Sequence, residues 1–147
     1  MLAYSVNMDP ISSVAISAPV LVPVAGWSVH AGFPSPAEDH AEGGLDLTRK
    51  FVRNPVASFV VRTSGESLTG LGIRQGDYLL VDRSRHPRDG DVVIALIDGQ
   101  FAAKQYTLCQ GRIALMSAHP SFPALAWGEG CEIWGVVTSV HRDLLVR

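Results

Sequence analysis

The chain has 147 residues, a formal net charge of −2 and only two cysteines, Cys109 and Cys131. This length fits one domain, which should bury roughly two thirds of its unfolded surface. The charge argues against a basic nucleic-acid face, and two isolated cysteines with dispersed histidines make neither a disulfide framework nor a zinc site. We therefore expect reduced thiols, no metal and no cofactor.

Residues 11–25 are apolar, and the first 31 residues contain three prolines. A secretory signal would begin with positive charge, yet Arg49 is the first lysine or arginine in the chain. A transmembrane helix needs ~20 uninterrupted apolar residues, which the serines and prolines of this segment prevent. We predict a cytoplasmic protein in which residues 1–31 form an extended arm able to lie along a sheet edge.

Residues 32–50 are polar and rich in proline and glycine, which predicts a linker, with one or two helical turns over 45–52. The remaining domain, 51–147, has the pattern of a small, partly closed antiparallel β barrel or sandwich. Runs of β-branched and aromatic residues predict its strands at 58–63, 78–82, 91–97, 100–108 and 133–141.

One hairpin of this domain is predicted in detail. Asp98–Gly99 lies between two strand patterns and favours a type I′ turn. Ile97 and Gln100 should then be cross-strand neighbours.

Two residues of the β domain suggest nucleophilic catalysis. Ser67, in Ser64-Gly65-Glu66-Ser67, needs a base to become a nucleophile, and a lysine can serve only as a neutral amine. Lys104 follows an apolar strand and hairpin, and burial can lower a lysine pKa by ~3–5 units. The spacing alone also fits a solvated strand lysine and a structural Ser-Gly turn. Gly65 would leave the backbone N–H groups of Glu66 and Ser67 accessible to an oxyanion.

Six segments of the chain match a known family in order and spacing: 31–37, 64–68, 76–82, 90–95, 98–104 and 133–137. They resemble the UmuD/LexA-type self-cleaving serine peptidases of the bacterial SOS response, UmuD most of all. The resemblance covers about four fifths of the chain, from Ala31 onward. Two positions depart from the pattern: Leu68 replaces the usual methionine after the serine, and the scissile pair is Ala31–Gly32, as in LexA, where UmuD has Cys-Gly.

The resemblance implies a homodimer of the LexA/UmuD C-terminal-domain fold that cleaves its own Ala31–Gly32 bond, with Ser67 as nucleophile and Lys104 as general base. It implies that a RecA–single-stranded-DNA filament stimulates the cleavage. The product, beginning at Gly32, would be the accessory subunit of an error-prone, UmuC-like Y-family polymerase in translesion synthesis.

Other functions fit parts of the sequence. The chain could be a catalytically silent dimeric module that recruits a polymerase, or a signal-peptidase-like Ser-Lys protease, although we expect no membrane anchor. A Ser-His-Asp hydrolase is disfavoured because no Gly-x-Ser-x-Gly elbow surrounds Ser67. The thirty residues before Ala31 contain no lysine or arginine, so we expect no sequence-specific DNA binding.

Overall fold

The computed structural model describes residues 18–25, 31–32 and 42–145. The described residues fall into two compact units that divide between Arg53 and Asn54. Predictions for residues 1–17, 26–30, 33–41 and 146–147 lie outside the described residues. The proposed boundaries of arm, linker and peptidase domain stay predictions.

The first unit contains a two-stranded antiparallel sheet and a short helix. Strand β1, Val22–Val24, pairs with β2, Glu42–Leu45. Helix α1, Leu47–Phe51, confirms the predicted helical turn and begins at Asp46, whose carboxylate accepts a hydrogen bond from the Arg49 N–H. Strand β2 lies in the stretch predicted as linker: two glycines give it no strand propensity, and pairing with β1 makes it a strand.

The second unit is built on one seven-stranded antiparallel sheet. Its strands are β3 Ser58–Arg62, β4 Tyr78–Asp82, β5 Val92–Ile97, β6 Gln100–Cys109, β7 Arg112–Met116, β8 Leu125–Ala126 and β9 Cys131–His141. Their order in the sheet is β3, β4, β9, β5, β6, β7 and β8. The outer strands β3 and β8 do not pair with each other in the described part of the chain, so the sheet is open rather than closed into a barrel.

The prediction of a mostly antiparallel β fold is confirmed, and all five predicted strands are present within two residues of their expected ends. The Asp98–Gly99 hairpin is confirmed too: both residues have positive φ, 49° and 80°, and Ile97 pairs with Gln100. Strands β7 and β8 were not predicted. Strand β7 has little β-branched character, and it forms because the chain reverses after β6 and pairs back onto it.

The core of this unit lies on both faces of the sheet because successive β5 side chains point to opposite sides. Ile94 packs into a cluster with Leu79 and Val81, whereas Val93 and Ala95 belong to a second cluster. Strand β5 is therefore covered on both sides, as its continuous apolar sequence predicts. No helix among the described residues is long and apolar enough to cross a membrane.

Candidate active site

Ser67 lies in the turn that connects β3 to a short 3-10 helix at Thr69–Leu71. The next residue, Leu68, is buried in the core and anchors the turn, while Ser67 itself is half-buried. Gly65 has φ of +86°, a conformation that residues with a side chain adopt with strain. Within the described residues, no backbone hydrogen bond uses the N–H groups of Glu66 or Ser67. These two donors are therefore available to a ligand.

Lys104 lies in the middle of β6, where it pairs with Val93 of β5. Only 9% of the residue is exposed to solvent. Its Nζ donates a hydrogen bond to Ser117 Oγ at 2.7 Å. Burial lowers the pKa of Lys104, because removing water from the amine penalises its charged form.

Ser67 and Lys104 line the same cavity, which has a volume of about 450 Å³. No direct hydrogen bond joins the two side chains among those the structure describes. The cavity wall is mostly apolar and includes Phe101, whose ring packs edge-on against Trp134 at a centroid distance of 5.0 Å. Such a wall favours ligands with apolar groups. The other lining residues are Phe59, Val61, Arg62, Thr63, Ser64, Gly65, Leu68, Ile73, Leu79, Ile94, Ala102 and Ala103.

The turn that carries Ser67 is fastened to the segment after β7. The Ala118 N–H donates to the Ser67 carbonyl at 2.7 Å, and the Gly70 N–H donates to the Ala118 carbonyl at 2.8 Å. A side chain at position 70 would place its Cβ 2.5 Å from the Ala118 carbonyl oxygen, so this approach requires glycine. Two backbone hydrogen bonds therefore hold Ala118 against the turn that carries Ser67.

Three residues of this site, Gly70, Ser117 and Ala118, were not singled out from the sequence. The available signal was the dipeptide Gln110–Gly111, whose two residues have positive φ and join β6 to β7. A hairpin centred there pairs Gln105 with Met116, and the next residues in register are Lys104 and Ser117. Recognising that turn would have predicted Ser117 opposite Lys104.

The predicted scissile residues lie in the other unit. Ala31 and Gly32 are both exposed and form a bend, with Gly32 at φ of +118°.

Two other kinds of chemistry have less support at this site. Of the histidines that the structure describes, none lines the cavity with Ser67, which leaves a Ser-His-Asp arrangement without its base. A search of the described residues also finds no group of three or more histidine, cysteine or acidic side chains able to hold a metal ion. A serine and a buried amine at one cavity, with two unpaired backbone N–H groups in the serine turn, are instead groups of the kind that acyl transfer needs.

Comparison with known proteins identifies the family of this chain. The Peptidase S24-like family matches residues 23–138. Protein SamA of Salmonella typhimurium is 38% identical over 97% of this chain and 96% of its own length. Protein ImpA of Escherichia coli is 49% identical over 80% of this chain and 81% of its own. A LexA repressor from Verrucomicrobium spinosum is 34% identical over 82% of this chain and 60% of its own. The chain belongs to the Peptidase S24-like family, as a member of the UmuD/LexA type.

Proposed function

We propose that this protein is a self-cleaving serine peptidase of the SOS mutagenesis response that cuts its own bond between Ala31 and Gly32. The observation that carries the proposal is that Ser67 and a buried lysine of depressed pKa line one apolar cavity. Membership of a peptidase family supports the same chemistry. The processed chain would begin at Gly32.

In the proposed reaction, the neutral amine of Lys104 removes the proton from Ser67 Oγ, which attacks the carbonyl carbon of Ala31. The N–H groups of Glu66 and Ser67 stabilise the oxyanion. The C–N bond to Gly32 then breaks, and protonated Lys104 gives its proton to the leaving amine. Water, activated in turn by the neutral lysine, hydrolyses the acyl-serine and releases a carboxylate at Ala31 with regeneration of Ser67.

The biological setting that we propose comes from the family. A RecA filament on single-stranded DNA would stimulate the cleavage, and the processed homodimer would serve a Y-family translesion polymerase in the cytoplasm. Because a tethered substrate has a high effective concentration, control over whether the arm occupies the cavity is enough to control the rate. A filament that favours the occupied arrangement would act in this way without supplying any catalytic group.

The direct test is intact-mass spectrometry of the purified chain after incubation at mildly alkaline pH, alone and with RecA, single-stranded DNA and an ATP analogue. We expect a new fragment beginning at Gly32, and we expect the Ser67→Ala variant to form none. Ser64→Ala is the matched control, since Ser64 lines the same cavity and has no role in the reaction. A chain that stays intact under every condition would favour the silent recruitment module.

The cleavage site has its own test in Gly32→Glu. A Cβ at this position meets no atom within 4 Å, so the bulky side chain should leave the fold intact, although a φ of +118° strains any residue other than glycine. The glutamate should nevertheless block cleavage, because the serine must come within about 3–3.5 Å of the Ala31 carbonyl carbon. Mass spectrometry should detect only the full-length chain. The thermal unfolding midpoint should fall only slightly, because the strained residue lies in an exposed bend. Undiminished cutting would place the scissile bond elsewhere.

A further inference from the structure

Ser117 is a buried partner of Lys104 to which the proposed reaction assigns no role. It follows the last residue of β7 and accepts a hydrogen bond from Lys104 Nζ at 2.7 Å. The last β6–β7 pair is Gln105 with Met116, the residues next to Lys104 and Ser117, so strand pairing brings the two side chains near each other. It is the one side-chain hydrogen bond that Lys104 makes within the described residues.

The backbone beside Ser117 is also tied to the nucleophile. Ala118 donates its N–H to the Ser67 carbonyl and accepts a hydrogen bond from Gly70. Residues 117 and 118 therefore contact both members of the proposed dyad. The Ser117 side chain bonds to Lys104, and the Ala118 peptide N–H bonds to the Ser67 carbonyl. The position of each member depends on the same pair of residues.

The geometry points to Ser117 as a positioning residue for the Lys104 amine in self-cleavage, an inference that rests on the proposed function. A lysine amine stands on a flexible four-carbon stem, and an amine without an anchor samples several rotamers. When one N–H of the amine donates to Ser117 Oγ, the direction of the lone pair on Lys104 Nζ is restricted. A misplacement of about 1 Å costs on the order of 100-fold in rate.

The hydrogen bond also has a consequence for proton affinity. A hydroxyl acceptor stabilises the charged ammonium more than the neutral amine, which opposes the effect of burial. Of the charged residues that the structure describes near the site, Arg62 of β3 lines the cavity and Glu66 lies in the serine turn. The depressed pKa of Lys104 results from burial and from neither of these two charges. Loss of the Ser117 hydroxyl should therefore lower the pKa of Lys104 further.

The chain offers a clean measurement, because Lys50 and Lys104 are its only lysines. Lysine labelled with ¹³C at Cε should give two resonances in NMR spectra of the full chain, which Lys50→Arg assigns. The titration is measured in the Ser67→Ala variant, where no cleavage interferes. Adding Ser117→Ala to that variant should shift the titration of Lys104 to lower pH by about one unit. The resonance of Lys50, which is exposed, serves as the internal reference.

The kinetic arm uses the cutting-competent chain. In Ser117→Ala, the first-order cleavage rate above the midpoint of its pH profile should fall about 10- to 100-fold, while the midpoint itself moves to lower pH. Ser117→Thr keeps the hydroxyl and should restore both rate and midpoint. Ser121→Ala, an exposed serine four residues on, should behave as the parent.

If Ser117 served only in packing, Ser117→Ala would lower the rate without moving the NMR titration of Lys104 or the midpoint of the pH profile, and that result would overturn the inference. A Ser117→Ala variant that cuts at the parental plateau rate would overturn it too. These results leave the proposed function standing, because the parent still cuts. A parent that stays intact under every condition overturns the proposed function, and this inference with it.

Discussion

Replacing Lys104 with arginine should slow self-cleavage by about 100- to 10,000-fold, which is the usual contribution of general acid–base catalysis. Arginine keeps the positive charge, but its guanidinium stays protonated in proteins and cannot accept the Ser67 proton. Intact-mass spectrometry at alkaline pH, with RecA filament added, would detect any residual fragment. Cleavage by this variant at a rate near that of the parent would rule out the general-base role.

Two further variants separate chemistry from folding. Because Lys104 is buried, a larger charged side chain there can destabilise the sheet. Lys104→Met removes the amine with a similar length of apolar chain, so it should stay folded by circular dichroism and yet fail to cut. Lys50→Arg makes the same chemical change at the exposed lysine and should cut as the parent does.

The same argument predicts how the cleavage rate depends on pH. The active form of Lys104 is the neutral amine, whose fraction rises with pH and levels off above its pKa. Burial lowers that pKa from the ordinary value of 10.5. The rate should therefore rise with pH and reach its plateau below the pH at which an ordinary lysine loses its proton. A profile that falls over this range would contradict the assignment.

Asp77→Ala should lower the free energy of unfolding by roughly 2–4 kcal/mol, since breaking a buried ion pair also removes its hydrogen bonds. Asp77 is 1% exposed and lies just before β4. Its carboxylate accepts hydrogen bonds from Nε and Nη2 of Arg142, each at 2.6 Å, and from the Arg74 N–H at 2.8 Å. This bidentate pair ties the segment after β9 to the turn before β4. Urea unfolding followed by fluorescence would measure the loss.

A matched control exists in the second Arg-x-Gly-Asp turn of the chain. Asp91 accepts a hydrogen bond from the Arg88 N–H at 2.8 Å, as Asp77 does from Arg74. Asp91 is less buried than Asp77. Asp91→Ala therefore removes the same turn hydrogen bond without the Arg142 pair and should cost about 1 kcal/mol or less. Equal losses in the two variants would show that the Arg142 pair contributes nothing.

The ion pair also predicts how stability changes with acid. The hydrogen bonds from Arg142 outweigh burial and lower the pKa of Asp77 from 3.8 to about 2. A carboxylate with a depressed folded pKa stabilises the protein above its unfolded pKa and loses that effect as pH falls through its folded pKa. Between about pH 4 and pH 2 the parent should lose about 1–2 kcal/mol from this group, after allowance for the partial solvent exposure of Arg142. Asp77→Ala should lack that part of the decline.

Local pattern was sufficient for much of the fold. Strand β5 is a continuous apolar run, and residues of that kind are stable in a sheet covered on both faces. The Asp98–Gly99 turn was predictable because two positive φ values are needed there and these residues adopt them readily. Strand β2 was not predictable, because its own residues disfavour a strand and β1 supplies its hydrogen bonds.

For the candidate site, the sequence by itself determined the chemical groups: a serine in a glycine-containing turn and a lysine on the return strand of a hairpin. Only the tertiary structure decided their surroundings. Ser117 reaches Lys104 through the register of β6 and β7, and Ala118 reaches Ser67 across 51 positions of the chain. Contacts of this kind depend on how turns set strand register and on which backbone groups remain to be paired. The residues next to Ser67 or Lys104 in the sequence indicate neither of these two factors.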